Sequence, residues 1–210
     1  MTIRVSSFGV LLAANLLAQP AMAQELNWSW GLDVTSNYVF AGVTQSDDGP
    51  AIQPWFEVES QGAYFAFWGS TVDLGSDEWE LDWYLGYRNT TSYDLDWDVG
   101  LAFYTYNSTG YCCTEVTLEL SYPVTSQASV GGFLGYNPDS GHWHRYLDGS
   151  FAFTDRISGS ARIGANDGMD TEYWQLGASY NFNDSVSADL RYHGADVGDA
   201  GLAFSLSFGF

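Results

Sequence analysis

The sequence contains no lysine; its six basic residues are all arginine, set against 26 aspartates and glutamates. A net charge of −20 leaves no basic footprint, which excludes nucleic acid as a partner. Cysteine is nearly absent as well. Cys112 and Cys113 are adjacent, cannot build a disulfide framework, and have no neighbouring residues to complete a zinc site. Their setting reads as a loop in an oxidising compartment, holding either a vicinal disulfide or two free thiols. Long apolar runs are missing too. The one such stretch, residues 8–18, falls short of the ~20 residues a spanning helix requires. Beyond it no segment repeats at 3.6 residues, so neither a helical domain nor a helical anchor is expected.

What is there begins with a leader. Arg4 supplies a positive start, residues 8–18 an apolar core, and Ala21, Met22 and Ala23 a small-residue cleavage site. This pattern predicts a secretory signal peptide over 1–23, cut before Gln24, and one domain over 24–210.

That domain alternates. In the first segment Trp28, Trp30, Leu32, Val34, Ser36, Tyr38 and Phe40 share one face, opposite Ser29, Gly31, Asp33, Thr35 and Asn37. The last segment sets Leu202, Phe204, Leu206, Phe208 and Phe210 against Ala203, Ser205, Ser207 and Gly209. A period of two means strands with unlike faces. Twelve strands are predicted, near 28–41, 51–60, 63–73, 78–90, 93–106, 114–122, 126–137, 146–154, 157–165, 172–182, 185–193 and 201–210; ten is the alternative if one weak pair is miscounted. Short connections at 60–62, 90–92, 123–125, 155–156 and 183–184 alternate with longer ones at 42–50, 74–77, 107–113, 138–145, 166–171 and 194–200. Antiparallel hairpins give this rhythm when a barrel has tight periplasmic turns at one end and longer extracellular loops at the other.

A soluble β-sandwich or small barrel would also alternate, with its apolar face inward. The aromatic share of 17%, concentrated toward strand ends, instead matches the girdles of an outer-membrane barrel. In 78–85, Trp79, Leu81, Trp83 and Leu85 then face lipid while Glu80 and Asp82 face an aqueous lumen; reversing them would cost about 2–3 kcal/mol per charge near the bilayer centre. The same parity places Asp33, Glu57, Glu59, Asp94, Asp96, Asp98, Glu115 and Glu119 on the wet face, with Arg88, Arg162 and Arg191. The expected pore lining is Asp33, Glu57, Glu59, Glu80, Asp82, Arg88, Asp96, Asp98, Glu119, Arg162 and Arg191. Such a wall favours cations, unless its acids are merely solvated or are paired with arginine to plug the interior.

Residues 36–53, SNYVFAGVTQSDDGPAIQ, carry a resemblance. Tyr38, Phe40, Gly42, Thr44-Gln45-Ser46, Pro50-Ala51 and Gln53 resemble the N-terminal signature of the TorF-like family of porin-type proteobacterial proteins. Residues 63–73 and the pair ELDWYLGYR and LDWDVGLAFYTY are similar to the strands that follow it. The family usually has arginine where this chain has Ala41, so no role of that arginine carries over. The resemblance implies an outer-membrane barrel with a pore role and supplies no substrate.

Other constellations read as structural. Asp47 and Asp48 before Gly49-Pro50 form a turn, with a divalent-cation or lipopolysaccharide-bridging site as the alternative, and that loop can fold inward. His142 and His144 read as an exposed loop with aromatic packing, with weak metal binding as the alternative. His193, inward and near Asp170 and Asp196, is the candidate general base if the barrel is a hydrolase or protease. Tyr84, Tyr104, Phe133 and Tyr173 would fill the lumen if the barrel is closed. The reading carried forward is a porin of the bacterial outer membrane for passive diffusion of small solutes, with no enzyme activity, cofactor or metal. Its expected partners are membrane lipid, lipopolysaccharide and the barrel assembly machinery, the last through the strand ending in Phe210.

Overall fold

The computed structural model describes residues 26–198 and 201–210. The expected leader, 1–23, lies outside the described residues. From the first end the strands are β1 (Asn27–Thr35), β2 (Val39–Phe40), β3 (Val43–Thr44), β4 (Ala51–Ser60) and β5 (Ala63–Leu74). β6 (Asp77–Thr90), β7 (Asp96–Tyr106), β8 (Gly110–Pro123), β9 (Ala128–Tyr136) and β10 (Trp143–Ala152) follow. β11 (Ile157–Asn166), β12 (Thr171–Asn183), β13 (Val186–Ala195) and β14 (Gly201–Gly209) complete the chain. All but β2 and β3 join one closed antiparallel barrel of twelve strands, each paired with its neighbours in chain order. Closure pairs β1 with β14, setting Leu32 opposite Phe208 and Val34 opposite Leu206. Trp30 and Phe210 exchange backbone hydrogen bonds of 3.1 and 2.9 Å, and their rings stack at 4.6 Å.

The alternation sets the register, and the register sets the faces. Trp28, Leu147 and Ile163 are 63%, 67% and 67% exposed, whereas Glu80 and Asp82 are 5% and 2% exposed. No large side chain among the described residues is fully buried. A water-soluble sandwich would do the reverse, because apolar area drives its folding. A closed sheet pairs its backbone groups internally and has no edge, so this outer face can sit in hydrocarbon. The chain is an all-β transmembrane barrel.

At one end the hairpins turn tightly. Gln61 and Gly62 both have positive φ, 54° and 89°, the pair a type I′ turn needs. At the other end β5 and β6 are joined by Gly75-Ser76 alone, while residues 36–50 make the long connection between β1 and β4. We call these the turn end and the loop end.

The first strand departs from its expected course. It stops at Thr35, and Tyr38 and Phe40 turn into the lumen instead of facing lipid. Local polar bonds outcompete the ladder. The Thr35 hydroxyl donates to the Asn37 carbonyl at 2.9 Å, Asn37 Nδ2 donates to Asp48 at 2.7 Å, and the Tyr38 N–H donates to Ser46 Oγ at 2.9 Å. Ala41 and Gly42, at φ 46° and 82°, then reverse the chain between β2 and β3.

Two further expectations are corrected. Cys112 and Cys113 form a disulfide inside β8, not in a loop. Cys112 is the extra residue of a bulge there, since Tyr104 pairs with Cys113 and Thr105 with Tyr111. His144 lies in β10, buried on the inner face among the rings of Phe40, Phe133, Tyr146 and Tyr173, because its parity matches Tyr146; only His142 stays exposed.

Candidate functional site

The interior divides along its axis. In the loop-end half, the segment 37–46 crosses the lumen. On one side the Tyr38 hydroxyl donates to Glu80 at 3.2 Å, the Tyr38 ring meets Trp68 edge-on at 5.3 Å, and the Asp73 N–H donates to the Gln45 carbonyl at 2.8 Å. On the other side Phe40 packs on His144 at 5.1 Å, and Gly42 lies against β12 and β13. A Cβ at Gly42 would come within 2.5 Å of Ala195 Cβ and 3.0 Å of Tyr173 Cβ, so the approach requires glycine. β6 and β12 are diametrically opposite in the ring, so the segment is a crossbar rather than a wall lining.

Beneath this crossbar the carboxylates of the β6–β8 wall are covered by phenols. Tyr106 donates to Glu80 at 2.8 Å, Tyr84 to Asp82 at 3.1 Å and Tyr104 to Glu115 at 3.0 Å. Tyr106 reaches Glu80 from the directly opposite position on β7, Tyr104 reaches from β7 to Glu115 on β8 one same-face step out of register, and Tyr84 reaches Asp82 from two residues along the same face of β6. Glu80 and Asp82 therefore face inward but are buried beneath tyrosine rings. Tyr84 and Tyr104 do fill part of the interior, as in the closed-barrel alternative.

The turn-end half is more open. Arg88 bridges Glu57 and Glu59, the latter at 2.7 Å, and its guanidinium lies 4.7 Å from the centre of the Tyr64 ring. Glu59, Arg88 and Asp96 line a recess of about 380 Å³. Asp96 accepts from Thr90 at 2.5 Å, Asp98 accepts from Tyr64 at 2.9 Å, and Glu119, opposite Asp98 in the ladder, is exposed. On β1, which pairs with β4, Asp33 lines a second recess of about 470 Å³ with Trp55, Arg156 and Ser207.

The two remaining inward arginines are also paired. Arg162 donates to Asp148 at 3.0 Å and covers the Tyr146 ring at 3.6 Å. Arg191 makes two bonds of 3.1 Å to Asp189 and lies over Gly177, where a Cβ would fall 2.7 Å from the guanidinium carbon. These pairs are a quarter to a third exposed, so each contributes little, about 0–1 kcal/mol, to stability. Outside the lumen, at the loop rim, Arg145 donates to Asp167 at 2.8 Å and holds that carboxyl below the usual carboxylate range.

Sequence reasoning missed Asp148 and Asp189, the partners of Arg162 and Arg191, although both lie on the same alternation as their arginines. It also missed Tyr38, which parity assigned to the lipid face because the segment leaves the sheet after Thr35, and Trp68, although Trp68 sits opposite Asp82 in β5 and shares its inward parity. His193 is buried beside Arg191 and Asp189, away from Asp170 and Asp196, which are exposed in loops.

A family described as "Bacterial protein of unknown function (Gcw_chp)" matches residues 19–206. No curated protein matches the chain. Among solved structures, the KdgM porin superposes with a TM-score of 0.67 at 9% identity, covering 87% of this chain and 98% of that one. The Acinetobacter baumannii outer membrane protein Omp33 gives 0.57 at 9% identity, with 87% and 98% covered. The NanC porin gives 0.55 at 12% identity, with 85% and 97% covered. At these identities the likeness is one of fold. Together with the exposed apolar belt, it makes the chain a porin-like barrel of the bacterial outer membrane.

Proposed function

We propose that this chain, which belongs to the Gcw_chp family of bacterial proteins, is a diffusion channel for small solutes with a preference for cations. The observation that carries the reading is the charge balance of the inner wall. Arg88, Arg162 and Arg191 are each held by at least one carboxylate, while Asp33, Asp96, Asp98 and Glu119 remain without an arginine partner among the described residues. An excess of half-exposed carboxylates between low-dielectric walls concentrates cations and repels anions. Glu80 and Asp82 belong to the same lining but act from beneath the tyrosines. The likeness of residues 36–53 to the TorF-like signature supports taking this family as one of porins.

One observation favours a second reading, a closed structural barrel: the crossbar of 37–46 narrows the loop-end half. Reconstitution separates the two. A channel gives discrete conductance steps in planar bilayers and swelling of liposomes in small solutes; a closed barrel gives neither. Transport is preferred to hydrolysis because His193 Nδ1 has no hydrogen-bond partner among the described residues, so no carboxylate orients the imidazole as a base for a serine or threonine. Residues 1–23 as a leader, lipopolysaccharide at the rim, and assembly through β14 belong to the same proposal. Intact mass of protein purified from membranes tests the leader, with Gln24 as the expected first residue.

A further inference from the structure

A cavity of about 240 Å³ lies beside the crossbar, on the side walled by β1, β4, β5, β13 and β14. Its size corresponds to roughly eight water molecules at liquid density and is below the range of about 300–1,000 Å³ typical for drug-sized ligands. It suits one small solute. Its walls are of three chemical kinds. Trp68 and Tyr38, edge-on to each other at 5.3 Å, present aromatic surface. Gln53 donates one amide N–H to Ser70 at 3.2 Å, which fixes the amide and leaves its second N–H as a donor and its oxygen as an acceptor. Arg191 and Asp189 neutralise each other through two bonds of 3.1 Å.

The fourth feature is an imidazole. His193 lines the cavity, is 6% exposed, and its Nδ1 has no hydrogen-bond partner among the described residues. That nitrogen is sealed off, so a solute meets the imidazole only through the rest of its ring. A hydroxyl group both donates and accepts, so it pairs with the other ring nitrogen in either tautomer.

We infer that this cavity is a subsite for a single neutral polyhydroxylated solute, a monosaccharide or sugar alcohol, bound as it passes the crossbar. A pyranose has an apolar C–H face to lay on an aromatic ring and a rim of hydroxyls for an amide, an imidazole and an ion pair. A charged solute finds no uncompensated partner, because the guanidinium and carboxylate already cancel. The inference rests on the diffusion-channel reading only for access of solute to the lumen.

The test is titration of the purified barrel in detergent micelles with D-glucose, followed by calorimetry and tryptophan fluorescence. A saturable response is expected. Gln53→Leu and His193→Leu should each weaken half-saturation about tenfold, the loss of roughly one buried hydrogen bond. Trp68→Leu should weaken binding and remove the fluorescence change, with far-ultraviolet circular dichroism checking that each variant keeps its sheet. The wild-type titration decides even if a variant fails to fold. No saturable response to D-glucose, or a stronger response to D-glucuronate than to D-glucose, overturns the inference. Binding in micelles needs no current. A barrel that binds glucose but never conducts retains the subsite and loses the channel reading; one that conducts without binding does the opposite.

Discussion

Arg88 shows how one side chain sets the local balance of the lumen. Its guanidinium holds Glu57 and Glu59 together at the turn end, and all three are only partly buried. Arg88→Gln removes the cation while keeping much of the side-chain volume. Folding stability should fall by no more than about 1 kcal/mol, as for other half-exposed ion pairs. Selectivity should respond more: the two carboxylates become free to attract cations, and the reversal potential of the variant should move further toward the cation equilibrium value. An unchanged reversal potential would mean that these carboxylates lie outside the permeation path. Tyr38 is the complementary case at the loop end. Its hydroxyl ties the crossbar to Glu80, so Tyr38→Phe should make the open-channel current noisier while the barrel stays folded. A current as quiet as that of the parent would show that other contacts hold the crossbar in place.

At the scale of the element, the crossbar dominates. Gly42 allows it to lie against Tyr173 and Ala195, and its positive φ disfavours any other residue. Gly42→Val should cost about 1–3 kcal/mol through overpacking and should displace the segment from β12 and β13, raising unitary conductance. Replacing residues 38–45 by a glycine-serine linker should raise it further. Conductance equal to the parent's in both variants would show that the crossbar does not limit the current.

This element also marks where sequence reading stopped. The barrel strands were legible because a period of two, sustained across 9 to 14 residues, permits only one sidedness in a membrane. The same rule extended β1 to Phe40, since Tyr38 and Phe40 keep the alternation. What ended the strand was a knot of short side chains, Thr35, Asn37, Thr44 and Ser46, that bond to one another and to nearby backbone. Such bonds form only once the chain has reversed, so they leave no periodic trace. The inward acids were readable one strand at a time. That Tyr106 would cover Glu80 and Tyr104 would cover Glu115 was not, because it depends on the stagger between strands.

For the whole molecule, apolar side chains lie on the outer, lipid-facing surface and charge lies inside. Leu85 lies midway along β6, 47% exposed, between Phe65 and Leu101 of the neighbouring strands. Leu85→Arg should therefore destabilise the barrel by about 2–4 kcal/mol in equilibrium unfolding from lipid vesicles. Glu119→Arg, on the inner face, should cost far less. Equal penalties would contradict the assigned sidedness.

The acids of the interior outweigh its arginines, and the proposed cation preference requires them to face the permeating ion. That preference is tested most directly by the reversal potential of single channels in a planar bilayer under a potassium chloride gradient. A potential displaced toward the potassium equilibrium value is expected. A potential displaced toward chloride would contradict it.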